Sequence, residues 1–431
     1  MNVLAIDVGS SSVKAGMLRG RRIVGDVARR DYRTRTDGPR VEVDADDVMR
    51  AVAGAVRSLG RAARAADVIA LDAMAPSWVA MDRNGRALTP VVTHQDRRSV
   101  DEAREIERVV GKDRHLKIVG NRPFPGGISS TTALWFSRHA PAVMKRADLI
   151  GHLTTFLHRQ LTNARVTDPS NASFMGLYDT VGMSGWVAEM LDVVRISQKQ
   201  LPEIVDASEM AGTLSGEAAS RLGLRVGTPV LAGIMDGSGA LLAAGLREGQ
   251  VIDVMGSTDV LAICTARPKP DERVLTRPVG TGRWWVQVMN IASAATTFKW
   301  LHSTLFAELS EEKFRSILRR THARDTRGVT FDLGLAGDRH SIDPVTAGFR
   351  GLTLSTSRED LLASAVDALA HASAARWEVL KSLGLRRRGS ILLTGGLSGA
   401  MRHVLHRDWP KGLRFRQIDE ATLKGLATLV G

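Results

Sequence analysis

Cysteine is almost missing from this sequence. Cys264 is the only one among 431 residues, which excludes an intrachain disulfide and a cysteine-based zinc site and fits a reducing compartment such as the cytoplasm. Aromatic residues are scarce at 5%, and they do not alternate with basic residues as a stacking platform for single-stranded nucleic acid requires. Long apolar runs are lacking too. The stretch 229–246 is interrupted by Asp236 and several glycines, short of the ~20 apolar residues of a membrane-spanning helix. The opening MNVLAIDVGSSS has no basic segment and carries Asp7 inside its apolar part, unlike a secretory leader. No Walker A pattern, no complete GxGxxG and no HExxH occurs, which removes the P-loop, dinucleotide and zincin readings.

What is present describes an ordinary globular chain. Hydrophobic residues make up 44% and charged residues 24%, and the length predicts two or three domains. Net charge is +13, which raises the question of a nucleic-acid partner. The arginines are dispersed, however, and their tightest run is Arg386-Arg387-Arg388. The expectation is therefore a basic surface that helps to attract phosphorylated ligands, with no nucleic-acid and no membrane partner.

Strand and helix patterns alternate along the chain, which argues for α/β layers. A hairpin opens it: apolar Val3–Val8, the turn Gly9-Ser10-Ser11-Ser12, then Val13–Leu18, with a third strand near 22–30. Asp44 is placed to cap an amphipathic helix running to Ala66. A strand at 68–71, a strand at 78–82 and a helix at 100–110 follow. Residues 121–127 read as loop and 131–161 as helices. Residues 228–234 read as one buried strand leading into a small-residue helix at 237–246. A second strand–turn–strand at 251–264 echoes the first, since DVMGSTDV at 253–260 parallels IDVGSSSV at 6–13. Val254 stands where the first copy has Asp7, so the two hairpins differ in task. This repeat predicts two domains of one topology, 1–247 and 248–431. A long helix over 358–383 is expected behind Ser357 and Asp360, which stand at capping-box spacing.

Three segments carry chemistry. In the first, Asp7, Gly9, Ser10, Ser11 and Lys14 form a Gly/Ser hairpin whose N–H groups and hydroxyls suit phosphate oxygens. Asp7 is costly to bury without a cation or donors, and Mg²⁺ held largely through water would supply the cation. A plain polar turn is the other reading. In the second, Asp236 stands between an apolar strand and a small-residue helix, where it is able to take a proton from a bound hydroxyl or merely to cap the helix. In the third, Gly395-Gly396 link a strand to a helix whose free N–H groups suit a nucleotide; an ordinary βα turn is the alternative.

Taken together these segments resemble the FGGY carbohydrate kinases of the actin-like, ribonuclease-H-like ATPase superfamily. The most specific match is Ala347-Gly348-Phe349-Arg350-Gly351-Leu352 followed, after seven residues, by Asp360-Leu361 and Ser364-Ala365-Val366-Asp367, which is similar to the family's C-terminal signature. DPSNASFMGLYD at 168–179, LPEIVDASEMAGTLS at 201–215, MGSTDVL at 255–261 and TGGLSGAM at 394–401 stand in family order. Two departures are visible. Thr132 occupies the place of a lysine three residues before Trp135, and Ala75-Pro76 stand where xylulose kinases carry Met-His.

The resemblance implies two ribonuclease-H-like domains with an interdomain active-site cleft, ATP and Mg²⁺ as cofactors, and a small-molecule sugar or polyol as substrate, with a ketopentose such as xylulose first. It implies Asp236 as catalytic base and as a substrate contact. Asp7 falls near Mg²⁺ and the γ-phosphate. Ser10, Ser11 and Lys14, with Gly9, fall on phosphate contacts, Gly256 and Ser257 on a second phosphate clamp, and Gly395 and Gly396 on the adenosine loop. Asp72, Pro76, Ser77, Gln95 and Asp96 fall on sugar-binding segments. A homodimer is compatible with this reading. Two rivals stay open: a catalytically silent sugar or nucleotide sensor on the same scaffold, and a kinase for another polyol such as glycerol.

Overall fold

The structure, a computed structural model, describes residues 1–321, 325–395 and 398–430. They group into two compact units. The first comprises Met1–Arg247, Cys264–Gln287 and Glu420–Gly431, and the second Glu248–Ile263 and Val288–Asp419.

The first unit is built on a mixed sheet. Its strands are β1 (Asn2–Val8), β2 (Ser12–Arg19), β3 (Arg22–Asp31), β4 (Val68–Ala73), β5 (Met210–Thr213), β6 (Pro229–Leu231) and β7 (Ile234–Met235). The order is β5-β6-β4-β1-β2-β3, with β7 also paired to β4. Strands β1, β6 and β7 run parallel to β4, whereas β2 and β3 return antiparallel. All six residues of β4 are buried, as expected of a central strand covered on both faces. The helix Ala45–Ser58 covers one face with Val48, Met49, Val52, Ala55 and Val56, and Asp44 caps it by accepting from the N–H groups of Asp46 and Asp47. It stops short of the predicted Ala66 because Gly60 turns to φ 58°, after which Arg61–Arg64 forms a separate short turn of helix.

Two further expectations are revised. The region 131–161 is not purely helical: between the helices Ser129–His139, Pro141–Arg146 and Leu153–Leu161 lies a strand, Leu149–Gly151. It pairs with Ser77–Met81, a long-range partner that local pattern does not reveal. The single strand expected at 228–234 is divided into β6 and β7. Gly233 bends the chain against β4 so closely that a Cβ there would lie 2.2 Å from the Leu71 carbonyl oxygen.

The second unit repeats the plan. Its strands are β8 (Val251–Met255), β9 (Asp259–Thr265), β10 (Trp285–Ile291), β11 (Ile391–Thr394) and β12 (Phe415–Gln417). They stand in the order β10-β9-β8-β11-β12. β8 pairs antiparallel with β9 and parallel with β11, which is in turn parallel to β12. The succession β6-β4-β1-β2-β3 is thus reproduced as β12-β11-β8-β9-β10, and the two echoed hairpins are its equivalent members. Arg358–Ser382 is the predicted long helix, opened by the reciprocal cap: the Ser357 N–H donates to Asp360 Oδ2 at 2.9 Å and the Asp360 N–H to Ser357 Oγ at 3.3 Å.

Near the site the backbone is packed through small residues. The helix Ser238–Ala244 meets the helix Ala421–Leu426, and a Cβ on Gly425 would fall 1.8 Å from the Gly239 carbonyl oxygen. Gly239 therefore serves helix contact rather than ligand approach. Gly425→Ala is expected to lower stability by about 1–3 kcal/mol through overpacking. Gly216→Ala, at a helix position with nothing within 4 Å, is expected to shift it by no more than about 1 kcal/mol, in the stabilising direction. Urea unfolding midpoints of the two variants check this contrast.

Candidate active site

Strand register assembles the site. Asp7 of β1 lies opposite Asp72 of β4, and Met235 of β7 lies opposite Ala73. Asp236 follows directly, its N–H donating to the Ala73 carbonyl at 2.9 Å. Because β1, β4 and β7 are parallel, Asp7, Asp72 and Asp236 share one end of the sheet, the carboxyl end, where ligands bind in open α/β sheets. Asp72 is fully buried, while Asp7 and Asp236 are half-buried. Burial, reinforced by the charges of Asp7 and Asp236, pushes the Asp72 carboxyl well above the usual range. Asp7 is raised by burial too, with the Asp72 hydrogen bond and Lys14 opposing. Of the two, Asp72 is the more strongly pushed toward its protonated form, since Lys14 opposes the rise only at Asp7. The helix after Asp236 takes Gly237, not Asp236, as its N-cap residue.

The first hairpin is tied down through its carbonyls. The Gly9 N–H donates to the Ser12 carbonyl at 3.0 Å, and the Tyr32 N–H to the Ser11 carbonyl at 3.0 Å. The Tyr32 hydroxyl donates to the Gly9 carbonyl, and Thr34 Oγ1 to that of Ser10 at 3.2 Å. Ser10 and Ser11 are left exposed, facing out from an anchored turn. Lys14 Nζ pairs with Glu420 Oε2 at 2.8 Å, so the hairpin's cation is steadied from the far end of the chain. Glu420 sits at φ 48°, a left-handed conformation that costs a non-glycine residue of order 1 kcal/mol or more.

In the second unit, the Gly256 N–H donates to the Thr258 carbonyl at 2.8 Å. Ser257 is exposed, and its carbonyl accepts from the Ala294 N–H at 2.9 Å. Beneath this turn two buried carboxylates are paired off: Asp259 with Arg376 at 2.5 Å and Asp253 with His406 at 2.6 Å. Burial pushes Asp259 up to about 8 despite the arginine. Gly395 has φ +100°, and a Cβ there would lie 2.3 Å from the Met255 carbonyl oxygen; its lack of a side chain lets the turn after β11 cross β8. Gly396 lies outside the described residues.

The segments expected to bind sugar are mostly scaffold. The Ala75–Pro76 peptide is cis. Ser77 is buried, with its hydroxyl donating to the Met74 carbonyl at 2.6 Å and accepting from the Leu153 N–H at 3.0 Å. Asp96 is buried and accepts from the Val41 N–H at 2.8 Å and from Arg98 Nη2 at 2.6 Å. Gln95 is exposed between them.

Sequence reasoning missed four members of this neighbourhood. Tyr32 and Glu420 are named above. Arg277, on the strand Leu275–Pro278, is 4% exposed and donates through Nη1 to Ser238 Oγ at 2.6 Å. Burial lowers its pKa to about 10 against the charges of Asp236 and Asp168. Asp168 caps the helix Pro169–Phe174, accepting from the Ser170 N–H at 2.8 Å and Asn171 Nδ2 at 2.6 Å, and burial pushes it up to about 6. Asp-Pro followed by Ser-Asn was a readable capping signal. Arg277 had none, since nothing local ties it to Asp236.

A duplicated sheet, each copy opening on a glycine–hydroxyl hairpin, defines the ribonuclease-H-like fold class. Comparison with known proteins narrows it. Residues 2–243 match the N-terminal domain and residues 253–406 the C-terminal domain of the FGGY family of carbohydrate kinases. The chain belongs to that family. It is 24% identical to the L-fuculokinase of Escherichia coli (strain K12) over 332 residues, covering 73% of this chain and 66% of that protein, just under two thirds of its length. It is 26% identical to the xylulose kinase of Streptomyces rubiginosus over 401 residues, covering 91% and 79%. The crystal structure of a xylulose kinase from Rhodospirillum rubrum superposes with a TM-score of 0.86 at 22% identity, over 100% of this chain and 89% of that one.

Among the described residues no group of three His, Cys, Asp or Glu side chains stands ready to hold a metal. A Mg²⁺ ion here would rest on Asp7, with water and phosphate oxygens completing its shell, which is the usual habit of that ion. Among the described residues no helix is long and apolar enough to cross a membrane.

Two buried histidines brace the loops of this region. His158 Nε2 meets the Ala232 carbonyl at 2.7 Å, just ahead of Asp236, and His115 Nδ1 the Asn121 carbonyl at 2.5 Å. Burial lowers each to about 4, below the ordinary ~6.5. Their contribution is complete above pH ~6.5 and is lost as pH falls toward ~4, because only the unfolded chain takes up the protons in that window, at up to about 3 kcal/mol per pH unit for two groups. Buried Asp168 and Asp259, raised to about 6 and about 8, act in the opposite sense over the same window, so the test is a comparison: chemical denaturation of the unmodified protein and of His158→Gln, which keeps a donor for Ala232, between pH 7 and 4.5 should give slopes that differ by up to about 1.4 kcal/mol per pH unit.

Proposed function

We propose that the protein transfers the γ-phosphoryl group of ATP to a hydroxyl of a sugar or polyol, with Asp236 as the general base. The observation that carries this reading is the convergence of Asp236 with Asp7 and the anchored Ser10–Ser11 hairpin at one end of a parallel sheet. Asp236 takes the proton of the attacking hydroxyl. The hydroxyls and N–H groups of Ser10 and Ser11, with Lys14, hold phosphate oxygens. Asp7 would hold Mg²⁺, which when bound neutralises charge on the phosphates. Positioning and charge compensation do most of the work in such transfers. Gly256 and Ser257 are proposed as further phosphate contacts, and the turn at Gly395 and Gly396 as the adenosine contact. Domain roles follow: sugar and first phosphate loop on 1–247, nucleotide on 248–431.

For the acceptor, a ketopentose such as xylulose is proposed first. The support is that a xylulose kinase aligns over 91% of this chain. Sugar recognition is proposed for Gln95, Asp236 and backbone groups of the 72–78 segment; the support is that Ser77 and Asp96 are buried and that Pro76 stands in place of a histidine.

A coupled assay of ADP release across ketoses, aldoses, aldonates and polyols, with and without Mg²⁺, tests the activity and names the acceptor. Saturable sugar binding without any sugar-stimulated ADP release would instead assign the protein to silent sensing. Asp236→Asn is expected to lower kcat by about 10²–10⁴-fold while ATP affinity is kept. Turnover near that of the unmodified protein would remove Asp236 from the base role.

A further inference from the structure

We propose that Arg277 is a positioning residue for Asp236, its buried guanidinium holding the carboxylate toward the acceptor hydroxyl through the loop Asp236-Gly237-Ser238; the proposal rests on Asp236 being the base. A guanidinium buried to 4% exposure is expensive to desolvate and persists where hydrogen bonds and opposite charge compensate it. The loop that follows β7 does both. Ser238, itself fully buried, accepts from Nη1 at 2.6 Å, and the Pro278 carbonyl accepts from the same nitrogen at 3.3 Å. These two acceptors fix the plane of the fork. The other arm, Nη2, lies 3.9 Å from where a Cβ would stand on Gly237, so the residue beside Asp236 wraps the guanidinium without a side chain between them. Of the charges facing Arg277, that of Asp236 acts most strongly, ahead of Asp168.

A planar cation with fixed arms sets direction as well as charge. Asp168 is spent on its own helix, accepting from Ser170 and Asn171, whereas Asp236 stands at the strand end with the hairpin. Arg277 thus acts on the base from behind and need not touch the sugar. A lysine would keep the charge and lose the fork.

The test is a cycle of four proteins: unmodified, Arg277→Met, Asp236→Asn and the double variant, with folding checked by circular dichroism and thermal melting. Arg277→Met is expected to lower kcat by about 10–100-fold, the scale of a lost charge-assisted interaction, with the KM values for ATP and acceptor changed less than about threefold. Arg277→Lys should restore part of kcat. In the Asp236→Asn background the same change should cost almost nothing further, since the group it acts through is gone. An equal loss in both backgrounds, or a raised acceptor KM with kcat unchanged, overturns the proposal and leaves the base role of Asp236 standing. A near-normal Asp236→Asn protein overturns the base role instead. Should Arg277→Met fail to fold, Ser238→Ala removes the nearer of the two Nη1 acceptors and leaves the Pro278 carbonyl; it is expected to lower kcat by about 3–10-fold, again only when Asp236 is present. An unchanged kcat in Ser238→Ala would count against the proposal.

Discussion

The organising constraint is the need to hold several carboxylates together at the end of a buried sheet. Parallel register puts Asp7 beside Asp72 and brings Asp236 alongside, and three negative charges at such a place repel one another with little water to screen them. The protein answers in different ways at each residue. Burial pushes Asp72 toward its protonated form, Lys14 opposes the same rise at Asp7, and Arg277 is attracted to Asp236. What remains is a small number of charges with definite positions, the condition for binding a nucleotide and its cation in one orientation. The second unit, whose hairpin has Val254 in place of an acid, solves a different problem: its acids, Asp253 and Asp259, are buried in the interior, where Asp253 is hydrogen-bonded to His406 and Asp259 is paired with Arg376. The same strand plan thus carries an acid toward the site in one copy and into the core in the other.

Much of this plan was legible beforehand. Each hairpin was readable because an apolar run, a Gly-hydroxyl turn and a second apolar run determine a strand pair locally, and the Ser357–Asp360 box fixed a helix start to the residue. Asp236, proposed as the base, stood out as a lone acid between an apolar strand and a small-residue helix. What escaped was non-local. The strand Leu149–Gly151 exists because Ser77–Met81 pairs with it, and three residues between helices give no period to read. Arg277 looks like one arginine among many until the fold places it behind residue 236. The break at Gly60 was missed because one glycine within a helical pattern is usually tolerated.

The glycines near Asp236 leave room that side chains would fill. The structure assigns most of that room to the protein itself. Gly233 lets β7 close on β4, Gly239 and Gly425 let two helices touch, and Gly395 lets a turn cross Met255. Ser77 and Asp96 are similar cases, polar residues whose hydrogen bonds are consumed in building the platform. Gln95 is the residue of these segments that stays exposed.

The pairing of Lys14 with Glu420 and the seating of Ala421–Leu426 against Ser238–Ala244 have a consequence for biosynthesis. The first unit draws its last pieces from a stretch that a ribosome makes only after the entire second unit. Up to that moment the amino-terminal sheet exists without its closing helix, and the lysine of the first turn waits without its carboxylate, so this half cannot mature as an independent early domain and reaches its finished form only once its neighbour has been made.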